Sequence, residues 1–141
     1  MLKVTKTVRF DAAHLLTNHQ GLCKNLHGHT YTLNITVAQA PDASDDMVMD
    51  FKDLKKVCED LILSRFDHAF IYDETSPVES EIASVLAKNG MRTVALSFRS
   101  TAENLAKYFF DILHKDMQNV ESVRVWETPT SVAEYSGSTL S

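Results

Sequence analysis

The sequence predicts an α+β fold, with an antiparallel sheet and helices packed on one face. Three observations predict it. Two long N-terminal segments alternate apolar and polar residues with period two. Later segments carry apolar residues at helical spacing behind capping residues. The order runs strand, strand, helix, short helix, strand, helix, strand, not as regular strand–helix repeats. At 141 residues the chain is expected to be one domain, 1–141, and with 44% hydrophobic residues it can bury a core.

Over residues 2–14 the even positions are Leu2, Val4, Lys6, Val8, Phe10, Ala12 and His14, and the odd positions are Lys3, Thr5, Thr7, Arg9, Asp11 and Ala13. Lys6 alone departs from the pattern of a half-buried strand. In the second strand His27, His29, Tyr31, Leu33, Ile35 and Val37 alternate with Gly28 and polar residues. Paired as an antiparallel hairpin, the end of the first strand lies beside the start of the second. His14, His27 and His29 then meet at one end of the sheet, on its buried side. Gly28 between two histidines lets the backbone approach a neighbour closely.

Residues 40–46 read as a polar loop containing Pro41. Asp50 caps a helix running to about Arg65, with Phe51, Leu54, Val57, Cys58, Leu61 and Ile62 in one stripe. Residues 66–75 read as a loop. Ser76, Pro77 and Glu79 form a capping box with proline at the first helical position, and that helix should end near Asn89 and Gly90. A strand over 93–98 follows. Ser100 and Glu103 form a second capping box, opening a helix through about Met117 that buries Leu105, Ala106, Phe109, Ile112 and Leu113. The last long strand covers 120–128, and the serine-rich tail from Ser136 should fray.

Three neutral imidazoles at one point make a metal site with a coordination position to spare, which is where catalysis on zinc takes place. A single histidine at a strand end is usually a satisfied polar residue, but three on one buried face each need a partner. Zinc (Zn2+) is the expected ion, although iron, nickel and copper also accept imidazole. Cys23 lies in the connecting loop, four residues before His27. The expectation is a zinc enzyme with a thiol beside the metal; the alternative makes Cys23 a fourth ligand that closes a structural site.

Composition narrows the classes. A net charge of −5 argues against a general nucleic-acid surface. No stretch approaches the roughly 18 apolar residues of a membrane span. The N-terminus begins on the first strand without a signal-peptide pattern. Two cysteines are too few for a disulfide framework. Cys58 falls on a helix's apolar face as inert core, and a functional Cys23 thiol suits a reducing cytoplasm.

Five motifs together carry a resemblance: Phe10-x-Ala12-Ala13-His14, Cys23-x-x-x-His27-Gly28-His29, Asp67-His68, Ser100-Thr101-Ala102-Glu103-Asn104 and Trp126-Glu127-Thr128. Over nearly its full length the chain resembles the 6-pyruvoyl-tetrahydropterin synthase family. The three-residue spacer between Cys23 and His27 resembles the 6-carboxy-tetrahydropterin synthase branch, which acts in the pathway to queuosine and other deazapurines. The pyruvoyl branch usually has a longer spacer. The segment from Phe70 to Arg99 is longer than in a minimal member, and the family's frequent proline before the TAEN-like motif is Ser100 here, which should still cap the helix.

The resemblance implies a T-fold, or tunnelling fold, whose subunits join their sheets into barrels. The implied assembly is a homo-oligomer, typically a hexamer built as a dimer of trimers, with active sites between subunits. It implies 7,8-dihydroneopterin triphosphate as substrate and 6-carboxy-5,6,7,8-tetrahydropterin, acetaldehyde and triphosphate as products. His14, His27 and His29 would hold zinc, which polarises the side-chain oxygens. Cys23 would be the general base, with His68, oriented by Asp67, moving a second proton. Glu127 shares a strand face with Val123 and Val125 and would accept the pterin's paired N–H donors. Thr101 would contact the pterin; Glu103 fits either substrate binding or the capping box. Lys24 and Arg99 are candidates for the triphosphate but equally fit solvated surface charges. His19 could approach the site from the loop, whereas His114 falls on the exposed helix face or near its C-terminal end. Two rivals stay open: a pyruvoyl-forming synthase on the same scaffold, and a non-catalytic interaction module stabilised by zinc.

Overall fold

The computed structural model describes residues 1–137. Its framework is a six-stranded sheet in the order β4-β3-β1-β2-β5-β6. β1 (Lys3–His14) and β2 (His27–Ala38) are the two alternating segments, paired antiparallel with His14 opposite His27 and Ala12 opposite His29. β5 (Val120–Thr128) joins β2 antiparallel, and β6 (Ser131–Ser136) joins β5. The expected fraying from Ser136 falls, beyond Gly137, outside the described residues; Ser136 itself pairs with Ser122.

The sheet is mixed rather than antiparallel throughout. The stretch expected as a loop over 66–75 contains β3 (Ala69–Asp73), which runs parallel to both β1 and β4 (Thr93–Leu96). The physical reason lies in its burial. Ala69, Phe70, Ile71 and Asp73 are buried and Tyr72 half-buried, so the strand has no polar face to alternate with. A short strand covered on both sides gives a continuous apolar run without period two. β6 escapes notice for the opposite reason: it is short, largely exposed and polar.

The main core fills the face formed by the even positions of β1 and the odd positions of β2. Tyr31, Leu33, Ile35, Val37, Val123 and Val125 are fully buried against Leu54, Ile62, Phe66, Leu105 and Phe109. Those partners come from α1 (Phe51–Cys58), which continues through a π turn (Glu59–Leu63) into α2 (Ser64–Phe66), and from α4 (Ala102–Asp116). Asp50 caps α1 by accepting from the Lys52 N–H, as its position suggests. The third long helix, α3 (Pro77–Lys88), lies across the other face. There Ala83, Ile82 and Leu86 pack on Ala13, Leu15, Phe70 and Tyr72. It starts at the Ser76 cap and ends at Gly90, whose φ of +75° suits glycine.

The N-cap of α4 differs from expectation. Thr101, in extended conformation, accepts from the Asn104 N–H, while Ser100 is fully buried and turned toward His14. The Ser100–Glu103 box does not form because its serine is engaged elsewhere. Thr101→Ala is therefore expected to lower stability by about 1 kcal/mol, more than Glu103→Ala does. Urea unfolding of both variants checks this, and the reverse ranking would return the cap to Ser100.

Candidate functional site

The hairpin register brings the three histidines together. Their ring centroids lie 4.6 Å (His14–His27), 5.1 Å (His14–His29) and 4.9 Å (His27–His29) apart. One ligand nitrogen from each falls within 4.8 Å of the others. The rings are held from behind. His14 Nδ1–H donates to the Ser100 carbonyl at 2.9 Å, with Ser100 Oγ at 3.2 Å and the Tyr31 hydroxyl at 3.3 Å. His27 Nδ1–H donates to the Asn25 carbonyl at 2.7 Å. With Nδ1 committed to a carbonyl, Nε2 keeps its lone pair, the arrangement found behind metal-ligating imidazoles. The Nε2 atoms of His14 and His29 are buried without a protein partner. Orphaned buried acceptors are costly, so the donor set fits a divalent cation taking imidazole ligands.

The electrostatics agree. Burial, reinforced by the neighbouring His27 and His29, lowers the pKa of His14 to about 4, even against the Ser100 hydrogen bond. Burial and His27 also lower that of His29. Both are held neutral, the form that binds metal. Tyr31, behind His14, has its hydroxyl pushed up by burial and by Glu127.

Glu127 stands at the mouth of the group, half-buried, with Oε2 4.0 Å from His29 Nε2. Burial, followed by repulsion from the Glu103 carboxylate, raises its pKa. Glu103 itself is exposed in the first turn of α4. Two open hollows share Gly28, His29 and Thr30: one of about 730 Å³ beside Trp126 and Glu127, and one of about 540 Å³ beside His68 and Arg92. A Cβ on Gly28 would sit 3.2 Å from the Ala12 carbonyl, so the close approach anticipated there is to the neighbouring strand.

Cys23 is exposed, in a 3-10 turn (Leu22–Lys24). It is not in the group of mutually close ligand atoms, which among the described residues consists of the three imidazoles. Cys58 is fully buried and its thiol is pushed up to about 11 by burial, consistent with inert core. Lys24, Arg99 and His19 are exposed, and His114 stacks on Phe110.

Asp67 and His68 form a pair, His68 Nδ1 to Asp67 Oδ1 at 2.9 Å. The chain does not bring them to the triad. Ala69 pairs with Ala12 on the core face, whereas His68, in the turn before it, lines a hollow with Asp11, Ala13, Thr30 and Phe70 on the opposite face. There the His68 N–H donates to the Asp11 carbonyl at 2.6 Å, and Asp67 Oδ1 accepts from the Asp11 N–H at 3.1 Å. His68 has a φ of +62°, uncommon for a non-glycine residue. Sequence reading missed Ser100 and Asn25 as partners of the histidines, because backbone carbonyls leave no residue-type signal.

The sheet and its helices are those of a T-fold protein. The sequence model described as 6-pyruvoyl tetrahydropterin synthase matches residues 3–138. A Haemophilus influenzae protein named 6-carboxy-5,6,7,8-tetrahydropterin synthase is 47% identical over 139 residues, covering 96% of this chain and 99% of the relative. An Aquifex aeolicus protein of the same name is 38% identical over 157 residues, covering 94% and 96%. Among solved structures, Caenorhabditis elegans 6-pyruvoyl tetrahydropterin synthase superposes with a TM-score of 0.70 at 27% identity, covering 97% and 96%. An uncharacterized Wolinella succinogenes protein shares the fold with a TM-score of 0.83 at 20% identity, covering 97% and 98%. This chain belongs to the 6-pyruvoyl tetrahydropterin synthase family, a family of enzymes.

The depressed histidines give the metal-free protein a defined pH dependence. His14 titrates near 4 when folded and at its ordinary 6.5 when unfolded. Between these values the unfolded chain binds the extra proton, so stability is full above 6.5 and is lost as the pH falls toward 4. His29 adds a slope of the same sign. Urea midpoints of the metal-free protein across this window should fall with pH, and His14→Gln should flatten the decline.

Proposed function

We propose that this chain converts 7,8-dihydroneopterin triphosphate to 6-carboxy-5,6,7,8-tetrahydropterin, releasing acetaldehyde and triphosphate, as a step of queuosine (7-deazapurine) biosynthesis in the cytoplasm. The observation that carries this reading is the convergence of three imidazoles, two with orphaned Nε2 atoms, beside a half-buried carboxylate. The name of the 47% identical Haemophilus influenzae relative supports the carboxy product over the pyruvoyl one. The three-residue spacer from Cys23 to His27 points the same way.

In this reading His14, His27 and His29 would hold zinc, one ring nitrogen from each. Zinc, when bound, supplies Lewis acidity toward the hydroxyls of the substrate side chain. Ser100 and Asn25 keep the rings of His14 and His27 in the tautomer with a free Nε2. Cys23 acts as general base on the side chain, its exposure allowing substrate to reach the thiol. Asp67 accepts from His68 Nδ1, which leaves His68 Nε2 to exchange the second proton. The dyad faces away from its own triad, a placement suited to a site completed between subunits of a homo-oligomer, and we propose the hexameric assembly of the T-fold. Glu127 receives the pterin's N2 amino and N3 hydrogens in bidentate fashion. Such donors would offset the burial and the Glu103 repulsion that raise the pKa of this carboxylate. Thr101 and Glu103, at the start of α4, flank the same ring.

Product analysis of the zinc-loaded protein supplied with 7,8-dihydroneopterin triphosphate, without added reductant, tests the proposal. Acetaldehyde with the carboxy product is expected, since the ring gains the reducing equivalents that the side chain loses. A pyruvoyl product would move the chain to the other branch, and no turnover by folded, metal-loaded protein would favour a structural metal. Cys23→Ala is expected to keep its zinc and lose roughly 100-fold or more in kcat; loss of zinc would refute the assigned role. Glu127→Ala should weaken pterin binding by about tenfold or more, and unchanged affinity by calorimetry would remove the anchor.

A further inference from the structure

Glu79 takes no part in the chemistry above, yet its side chain is 1% exposed. It lies in the first turn of α3, where the helix dipole favours an anion. Two donors from different segments converge on it. Oε2 accepts from the Thr17 hydroxyl at 2.6 Å, and Oε1 accepts from the Asp73 N–H at 3.2 Å. Thr17 Oγ1 also lies 3.0 Å from Ser76 Oγ, the cap of α3. A carboxylate suits this place because its two oxygens accept from both donors at once. The expected reciprocal contact of a capping box, from this glutamate back to its own cap, is replaced by contacts to β1's exit and β3's exit.

Thr17 stands at the base of the loop between β1 and β2. Its neighbour Leu16 donates its N–H to the Cys23 carbonyl at 2.8 Å and accepts from the His19 N–H at 3.1 Å. Leu15, one residue earlier, packs with Phe70 and Ala83. The same loop delivers Asn25, whose carbonyl orients His27. From Glu79 the connection to Cys23 is thus Thr17, its neighbour Leu16, and one backbone hydrogen bond.

We infer that Glu79 is a positioning residue: through Thr17 it fixes the base of the loop that carries Cys23. This gives the long segment between β3 and β4 a purpose, as a brace on the thiol loop from the far face of the sheet. The inference rests on the proposed role of Cys23 for its effect on turnover, but not for its effect on the loop.

The test uses full-length, zinc-loaded protein with Thr17→Val, which keeps the shape and removes the hydroxyl, and Thr17→Ser, which restores it. Thr17→Val is expected to keep its zinc, to lose about tenfold in kcat with little change in KM, and to speed exchange of the Leu16 amide by about tenfold. Thr17→Ser should recover both. Glu79→Met, which removes both acceptor oxygens, is the second variant; it should reproduce the Thr17→Val phenotype and decides the case in which Thr17→Val folds poorly. Wild-type exchange at Leu16 in either folded variant overturns the inference, as does lowered stability with unchanged kcat. Loss of zinc would also overturn it, because the contact would then be acting on the histidines. If Cys23→Ala keeps full turnover, the thiol mechanism fails instead, and the Leu16 exchange result still decides whether Glu79 holds the loop.

Discussion

The pairing register of β1 and β2 is the constraint on which the site depends. It places His14 opposite His27 and His29 opposite Ala12, so that three imidazoles share one end of one face. Side chains alternate along a strand, and a slip of one residue would carry β2's histidines to the polar face. The register is secured by what lies further along the same face. Phe10 stacks on Tyr31 at a centroid distance of 5.0 Å, and Leu33, Ile35 and Val37 are fully buried beyond it. The apolar core therefore aligns the three imidazoles, and the histidines are the polar end of a hydrophobic stripe.

That placement sets the electrostatics. In the folded chain burial disfavours the protonated forms of His14 and His29 and the ionised form of Glu127. His27 and His29 also disfavour charge on His14, His27 disfavours it on His29, and Glu103 disfavours it on Glu127. Titratable groups whose charged forms are disfavoured by burial and like neighbours, beside an open hollow, are the physical mark of a site built for a ligand. A cation would satisfy the nitrogens, and a donor pair would satisfy the carboxylate. The backbone carbonyls of Ser100 and Asn25 add the orientation that neither burial nor charge provides.

The segment from β3 through α3 to β4 shows how the two faces of the sheet are linked. β3 packs Ala69 and Ile71 into the main core and Phe70 into the smaller cluster with α3. The turn that begins it holds His68 in the left-handed region, which costs energy for a residue with a side chain. Contacts of both His68 and Asp67 to the Asp11 backbone, and of Arg92 to the Asp67 carbonyl, offset that cost. The dyad is therefore preset by the same strand, β1, that supplies His14 on its other face.

The sequence by itself determined the hairpin, its register and the meeting of His14, His27 and His29, because period-two alternation needs only the order of residues. It also determined the caps of α1 and α3, where Asp50 and Ser76 act on neighbours two and three residues away. Tertiary structure decided the rest. β3 was illegible because burial on both faces erased its alternation, and its parallel partners lie far along the chain. Ser100 could not be distinguished from a helix cap until His14 claimed it, which left Thr101 to cap α4. The opposite-facing placement of Asp67 and His68, and the reach of Glu79 to Thr17, arise from elements packed across the sheet. Local pattern is written in adjacent residues, whereas a contact between segments 60 residues apart exists only once both have a place in the fold, as the separation of 62 between Thr17 and Glu79 illustrates.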